Sequence, residues 1–93
     1  MTTVDQVKEW LTTTIELLVK NPAKVEITKT SDEMGVLFTL KCDQMDNGIV
    51  IGREGQNAKA LRLILNALGR NAQARISLKI DDPENPPNRE PRY

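Results

Sequence analysis

The sequence contains no histidine, a single cysteine, and one residue each of tryptophan, tyrosine and phenylalanine. Without histidine the chain lacks the usual general base and the commonest transition-metal ligand, and Cys42 alone cannot form an internal disulfide. A glycine-rich nucleotide loop ending in Lys-Ser or Lys-Thr is also absent. We therefore expect a protein that is not an enzyme and that has no metal site, no cofactor and no small-molecule substrate.

Long apolar runs are missing as well. No stretch approaches the roughly 18 apolar residues of a membrane span. The first residues, MTTVDQVKEW, lack the apolar core of a signal peptide. A lone thiol suits a reducing compartment. These features predict a cytoplasmic protein that has no membrane partner.

The chain carries no net charge, but its charges are unevenly distributed along the sequence. Residues 1–46 hold eight acidic and five basic side chains, and the tail from Asp81 holds four acidic and two basic ones. Residues 47–80 hold six basic side chains against Glu54 alone. Positive charge gathered in one segment is typical of a surface that binds nucleic acid, although an ordinary solvated helix face can also be rich in Lys and Arg.

The first half of the chain predicts a helix followed by a hairpin. Apolar residues at spacings of three and four predict an amphipathic helix over residues 4–20. Alternating apolar and polar residues then predict strands near residues 24–30 and 35–42, joined by a short turn as an antiparallel pair. The alternation places Phe38 and Cys42 on the core side of the second strand. We therefore expect Cys42 to be buried and slow to react with thiol reagents.

The second half predicts two further helices and a last strand. A short helix through about Val50 is followed by an amphipathic helix over residues 56–70 and a strand near residues 75–80. A crossover through two helices leaves the last strand parallel to the second. The predicted fold class is α+β, in the order α-β-β-α-α-β, with a three-stranded mixed sheet covered on one face by three helices. Residues 1–81 form this domain, and the proline-rich residues 82–93 are predicted to be a disordered tail.

The loop Gly52-Arg53-Glu54-Gly55 separates the two later helices. Glycines can adopt positive φ and allow another chain's backbone to approach closely, because they have no Cβ. The helix that follows directs its N–H groups and the positive end of its dipole at the loop, which favours a phosphate. Arg53 adds a charge that can fork onto phosphate oxygens. The alternative is a tight turn between two helices with no binding role.

A basic stripe follows this loop. On the predicted helix, Lys59, Arg62, Asn66 and Arg70 fall on one side of the helical wheel. The apolar stripe of that helix lies opposite, at Leu61, Ile64, Leu65 and Leu68. A nucleic-acid strand that leaves the loop could run along the basic stripe.

The stretch from Ile49 to Arg62, IVIGREGQNAKALR, resembles the signature of KH domains, in which V-I-G-x-x-G precedes an amphipathic helix. The element order resembles the bacterial type II variant. Residues 4–81 are similar in length and layout to the small stand-alone KH proteins of bacteria, the KhpA family. This resemblance implies that the chain binds about four nucleotides of single-stranded RNA beside the G-x-x-G loop. It also implies self-association and pairing with a larger KH-containing partner, KhpB.

The resemblance assigns the RNA-binding role to the loop and the start of the following helix. The residues implied are Ile51, Gly52, Arg53, Glu54, Gly55, Gln56, Lys59 and Arg62. Two of them depart from the pattern that favours phosphate: Glu54 is acidic where a basic or neutral residue suits, and Gln56 is uncharged where a base would help. A carboxylate near a phosphate opposes binding by about 1 kcal/mol at solvent-like screening. We therefore expect weak binding, and the scarcity of aromatic side chains predicts low sequence selectivity.

Two functional hypotheses remain at this point. The first is a single-stranded RNA-binding protein that acts as an RNA chaperone or post-transcriptional regulator. The second is a protein-interaction module that keeps the fold, forms a homodimer or a heterodimer with a KhpB-like partner, and has little RNA affinity of its own. Single-stranded DNA stays open as a ligand, because a backbone clamp sees little of the 2′-hydroxyl.

Overall fold

A capping box starts the first helix, α1, which spans Val4–Leu18. The hydroxyl of Thr3 accepts a hydrogen bond from the Gln6 N–H at 3.2 Å, and the Gln6 side chain accepts one from the Thr3 N–H at 2.9 Å. The helix ends two residues earlier than the sequence predicts, because Val19 is extended, with φ −90° and ψ 162°. This turn buries Val19 and leaves Leu18, which continues the apolar spacing of α1, 38% exposed.

The computed structural model describes residues 2–81. After α1, the elements are β1 (Glu26–Asp32), β2 (Gly35–Lys41), α2 (Asn47–Ile51), α3 (Gln56–Asn71) and β3 (Ile76–Ile80). Short 3₁₀ turns at Pro22–Lys24, Gln44–Asp46 and Arg53–Gly55 connect them. The predicted order α-β-β-α-α-β is confirmed. The predicted tail, residues 82–93, lies outside the described residues.

The three strands form one mixed sheet with β2 in the centre. β1 pairs with β2 in the antiparallel sense, from Glu26 opposite Lys41 to Asp32 opposite Gly35. β3 pairs with β2 in the parallel sense, beginning with Val36 opposite Ile76. Both predicted pairings are therefore confirmed, and β1 and β3 are the edge strands.

The hydrophobic core lies between the sheet and the helices. Buried apolar side chains come from every helix and strand; the fully buried ones of largest volume are Phe38, Leu11, Ile15, Leu40, Leu65, Val7 and Val50. Along β3 the residues at alternate positions are buried, and the opposite face of the sheet carries mostly polar side chains such as Thr28 and Ser77. This arrangement confirms an α+β fold with helices on one face of the sheet.

Cys42 is half-buried, so the expectation of full burial is wrong. β2 ends at Lys41, and Cys42 already belongs to the turn that follows. Its Sγ donates to the Asn47 side-chain oxygen at 3.0 Å. The residue still packs against the core, on the side predicted from the alternation with Phe38. Its slow reaction with thiol reagents stays a prediction.

A buried carboxylate joins the end of α1 to the start of α2. Asp46 is 2% exposed and lies just before α2. Its two oxygens accept hydrogen bonds from the backbone N–H groups of Lys20 (3.2 Å) and Asn21 (3.1 Å). A buried charge is stable only when it is hydrogen-bonded, and this pair of bonds meets that need. Asp46 therefore ties the exit of α1 to the entrance of α2.

Candidate nucleic-acid interface

The loop between α2 and α3 has an unusual backbone. Gly52 adopts φ 80° and ψ 171°, Glu54 adopts φ 57° and ψ 25°, and Gly55 adopts φ 74° and ψ 16°. The Gly52 conformation belongs to a region that is open essentially to glycine alone. Three backbone bonds close the loop, from Gly52 N–H to Gly48 O (2.8 Å), from Gly55 N–H to Gly52 O (3.1 Å) and from Gln56 N–H to Arg53 O. Both glycines therefore adopt the positive φ that the sequence analysis gave as open to them.

Glu54 is the one non-glycine residue of the loop with positive φ. An L-residue in the left-handed region costs about 1–2 kcal/mol, and glutamate has no short polar side chain that would offset this. The side chains of Arg53 and Glu54 are both exposed. The loop therefore presents one positive and one negative group to solvent, side by side.

The first turn of α3 contacts Gly52 directly. A Cβ placed on Gly52 would lie 2.8 Å from Asn57 Cγ and 2.9 Å from both Asn57 nitrogens. The Asn57 side chain donates to the Ile49 carbonyl oxygen at 2.8 Å. This bond satisfies an acceptor in the last turn of α2. Sequence reasoning missed Asn57, because a side chain that bonds to a backbone eight positions earlier leaves no periodic signal.

The N-terminus of α3 lacks the capping that α1 has. Its N-cap is Gly55, so no side chain caps the first turn, and that turn contains no acidic residue. The Gln56 N–H bonds the Arg53 carbonyl oxygen, but no side chain caps the N–H groups of this turn, and the positive end of the helix dipole faces the loop. This geometry favours an anion at the loop, as the sequence predicts.

A shallow groove runs between α3 and the edge strand β3, and we call it the α3–β3 groove. Lys59, Arg62, Leu63 and Asn66 line a cavity of about 300 Å³ at the loop end. Arg62 and Asn66 also line a second cavity, of about 220 Å³, against residues 76–78. A third, of about 420 Å³, lies between Asn66, Arg70 and Arg75. The four polar residues of the predicted stripe thus share one continuous surface.

Arg62 is oriented by the edge strand. Its Nε and Nη2 atoms donate to the Leu78 carbonyl oxygen at 3.4 and 3.3 Å. On either side of β3, the Arg75 carbonyl oxygen accepts from the Val36 N–H and the Asp81 N–H donates to the Leu40 carbonyl oxygen. The backbone N–H and C=O groups of odd-numbered residues therefore point towards β2. Backbone groups alternate in direction along a strand, and the Leu78 carbonyl therefore faces the open edge. Arg62 covers part of this edge as well as forming the groove wall.

The apolar stripe of α3 is narrower than the sequence predicts. The buried positions are Ala58, Leu61, Leu65 and Gly69. Ile64, a predicted core residue, is 43% exposed, and its neighbour Leu63 is 68% exposed. Gly69 permits close packing, because a Cβ there would lie 2.6 Å from the Ala74 carbonyl oxygen. Because Leu63 is exposed, it adds an apolar side chain to the wall of the α3–β3 groove.

The structure therefore brings the proposed RNA-contacting residues together in two groups. Residues 51–56 form the loop and its flanks, with Ile51 and Gly52 half-buried, Gly55 buried and Gln56 exposed. Lys59 and Arg62 lie one and two turns further along α3. Within residues 2–81 there is no cluster of three or more Cys, Asp or Glu side chains that could hold a metal ion. None of the helices described there is long and apolar enough to cross a membrane.

Comparison with known protein families agrees with this geometry. The family model described as the KhpA/KhpB KH domain matches residues 8–80, which include the loop and every helix and strand except the first turn of α1. This chain belongs to the KhpA/KhpB KH-domain family. The α-β-β-α-α-β order and the G-x-x-G loop are therefore those of a KH domain.

Individual relatives give the same assignment. The chain is 40% identical to the RNA-binding protein KhpA of Aquifex aeolicus over 73 residues, which cover 78% of this chain and 92% of that protein. It is 33% identical to the RNA-binding protein KhpA of Chlamydia pneumoniae over 73 residues, or 78% and 94% of the two chains. For the RNA-binding protein KhpA of Treponema pallidum the identity is 38% over 65 residues, or 70% and 81%. No solved structure gives a significant match.

Proposed function

We propose that this KhpA/KhpB-family protein binds short single-stranded RNA through the RNA backbone. The observation that carries the proposal is the juxtaposition of an uncapped helix N-terminus, a loop of positive-φ glycines and a basic groove. The relatives named above are RNA-binding proteins by name, and this supports RNA as the ligand.

A phosphate group binds at the loop. Gly52 and Gly55 have no Cβ, so the phosphate can approach the backbone of residues 52–55. The first turn of α3 supplies N–H groups and the positive end of its dipole. Arg53 is exposed beside this position and supplies a guanidinium that can fork onto two phosphate oxygens. Glu54 opposes the same phosphate through its charge.

The nucleotides that follow the phosphate lie in the α3–β3 groove. From Gln56 to Arg70, α3 is about 21 Å long at 1.5 Å per residue, which matches the roughly four nucleotides that a KH domain holds. Lys59 neutralises a second phosphate, and Arg62 contributes a third contact from its position against Leu78. Leu63 offers an apolar surface to a base but no hydrogen bond. Low sequence selectivity follows, which suits an RNA chaperone or post-transcriptional regulator acting in the cytoplasm.

A protein-interaction module is the second candidate function. Leu63 and Ile64 are exposed on α3, and large exposed apolar side chains often mark contact surfaces. In this alternative the chain forms a homodimer, or a heterodimer with a larger KH-containing protein of the KhpB kind, and binds RNA weakly.

Binding of the wild-type chain to an unstructured RNA oligomer, measured at several salt concentrations, separates the two candidates. For single strands the slope of log affinity against log salt is about −0.7 per neutralised phosphate, so contacts by Arg53, Lys59 and Arg62 give a slope near −2. A duplex RNA of equal length is the control and should bind more weakly. A flat slope or absent binding, together with dimer formation in sedimentation, would favour the interaction module.

A further inference from the structure

One side chain of α3, that of Asn57, forms a hydrogen bond across the loop of residues 52–55 to α2. The loop contains three residues of positive φ, and such a backbone conformation persists only where the surrounding structure maintains it. Side-chain packing does little to hold the loop, because Arg53 and Glu54 are exposed and the two glycines have no side chain. Its conformation must therefore be maintained by local bonds.

Asn57 makes the bond that joins the two sides of the loop. Its side-chain nitrogen lies 2.8 Å from the Ile49 carbonyl oxygen, and this bond links the first turn of α3 to the last turn of α2. The backbone bonds of the loop run from the N–H groups of Gly52, Gly55 and Gln56 to the carbonyl oxygens of Gly48, Gly52 and Arg53, so none of these three joins α3 to α2. The Asn57 side chain also fills the space in front of Gly52, where a Cβ would lie 2.8–2.9 Å from its Cγ and Nδ2 atoms.

We propose that Asn57 is a positioning residue for RNA binding: it preorganises the loop of residues 52–55 without contacting the RNA. This inference rests on the proposed function. A loop that is already in its bound conformation loses less entropy on binding, so a preorganising bond increases affinity even though it adds no contact to the ligand. Asn57 is half-buried and uncharged, and its amide is engaged with α2.

The first test replaces Asn57 with alanine. Alanine is the stronger helix former, so the substitution does not weaken α3 through helix propensity. We expect RNA binding to weaken about three- to tenfold, which corresponds to about 0.7–1.4 kcal/mol, the scale of one hydrogen bond. The slope of log affinity against log salt should stay at its wild-type value, because no phosphate contact is lost. The matched control is Asn71→Ala, at the exposed far end of α3, which should leave affinity unchanged.

Amide hydrogen exchange reports on the loop independently of RNA. In Asn57→Ala, the N–H groups of Gly52 and Gly55 should exchange faster, while those of the β2–β3 ladder keep their wild-type protection. A residue that only stabilises the fold would accelerate exchange throughout the domain and lower the melting temperature, with little change in the affinity of the folded fraction.

A double variant tests the contact with Gly52. Gly52→Ala should weaken RNA binding, because the new Cβ meets the Asn57 side chain and the backbone has φ 80°. In the Asn57→Ala background two of the three close contacts are gone, so Gly52→Ala should cost less there than in the wild type. Independent, multiplying effects would show that the two residues do not act through one loop geometry.

The outcomes separate this inference from the proposed function. If the wild type binds RNA with a slope near −2 and Asn57→Ala binds equally well, the positioning role is wrong and the proposed function stands. If Asn57→Ala weakens binding and also flattens the slope, Asn57 contacts the RNA backbone region directly and the inference is again wrong. If the wild type does not bind RNA at all, both fail.

Discussion

The two long helices of this domain bury similar stripes but present very different surfaces to solvent. α1 has 15 residues and α3 has 16. α1 buries Val7, Leu11 and Ile15 against the sheet, and α3 buries a stripe of the same kind. The solvent side of α1 carries three acidic residues and one lysine, whereas that of α3 carries three basic residues and no acidic one.

The two helix starts differ as strongly as the two surfaces. α1 begins with a complete capping box and has Asp5 in its first turn, so its N–H groups and dipole are satisfied within the protein. α3 begins at a glycine with no side-chain cap. Buried apolar side chains therefore position both helices in the same way. The capping of the N-terminus and the charges on the exposed face distinguish α1, a structural helix, from α3, which is suited to bind an anion.

The largest effect is expected from reversing the charge at the loop. Arg53→Asp removes a phosphate contact and places a negative charge where the RNA backbone comes closest. Affinity for an unstructured RNA should fall tenfold or more, about 1.4 kcal/mol or above. Arg53 is exposed, so the melting temperature should be unchanged. Lys8→Asp makes the same change of net charge on α1 and should have little effect. Equal losses in the two variants would mean that only net charge matters.

The opposite change at Glu54 should improve binding. Glu54→Lys replaces a repelling carboxylate with a cation; loss of roughly 1 kcal/mol of repulsion alone gives a gain of about fivefold, and the attraction of the new charge adds to it. Glu54→Asn removes the charge and also suits the left-handed backbone, since Asn adopts φ near 57° more readily. Asn should therefore raise the melting temperature as well as the affinity. A melting temperature that fell in Glu54→Asn would contradict the strain assigned to this position.

A smaller effect should come from the groove, and it concerns the salt dependence. Lys59→Ala removes one phosphate contact, so the slope of log affinity against log salt should become less steep by roughly 0.7. Lys8→Ala on α1 is the matched control and should leave the slope unaltered. An unchanged slope in Lys59→Ala would place the RNA away from the α3–β3 groove.

Asp43, which precedes the 3₁₀ turn Gln44–Asp46, should affect stability but not RNA binding. The Met45 N–H, the Asn21 side chain and the charge of Lys24 lower the pKa of Asp43 below its usual value of 3.8, in that order of size. A lowered pKa in the folded state adds stability at pH values above the unfolded pKa, and this stability is lost as pH falls through the folded value. Asp43→Asn should therefore reduce the melting temperature near neutral pH and weaken its decline on acidification. RNA affinity at pH 7 should not change.

Most of the fold could be predicted from the sequence because periodicity directly reports which face of an element is buried. The alternation around Phe38 gave the correct face of β2, and the spacing of apolar residues gave both long helices. The errors occur where an element ends or where its buried stripe has an edge. Val19 replaces Leu18 in the core, and Ile64 stays exposed, since a helical wheel cannot tell how far a neighbour extends.

The loop was predicted from its glycines, but the side chains that hold the site were not. Asn57 and Asp46 each bond to backbone groups that are distant in sequence, by 8 residues for Ile49 and by 26 for Lys20. Such bonds depend on tertiary geometry, and any polar residue type can make them. The orientation of Arg62 against Leu78 is similar, because it requires knowing that β3 is an edge strand.

The bonds of Asp46 also bear on the order in which the domain folds. Closing the loop between Lys20 and Asp46 costs about 2.9 kcal/mol of chain entropy if the intervening residues are flexible. The hairpin lies within this loop and brings Glu26 opposite Lys41, so its prior formation leaves only about ten residues to close and lowers the cost by about 0.8 kcal/mol. The hairpin should therefore form before α1 is tied down. Removing the carboxylate, as in Asp46→Ala, should then accelerate unfolding far more than it slows folding.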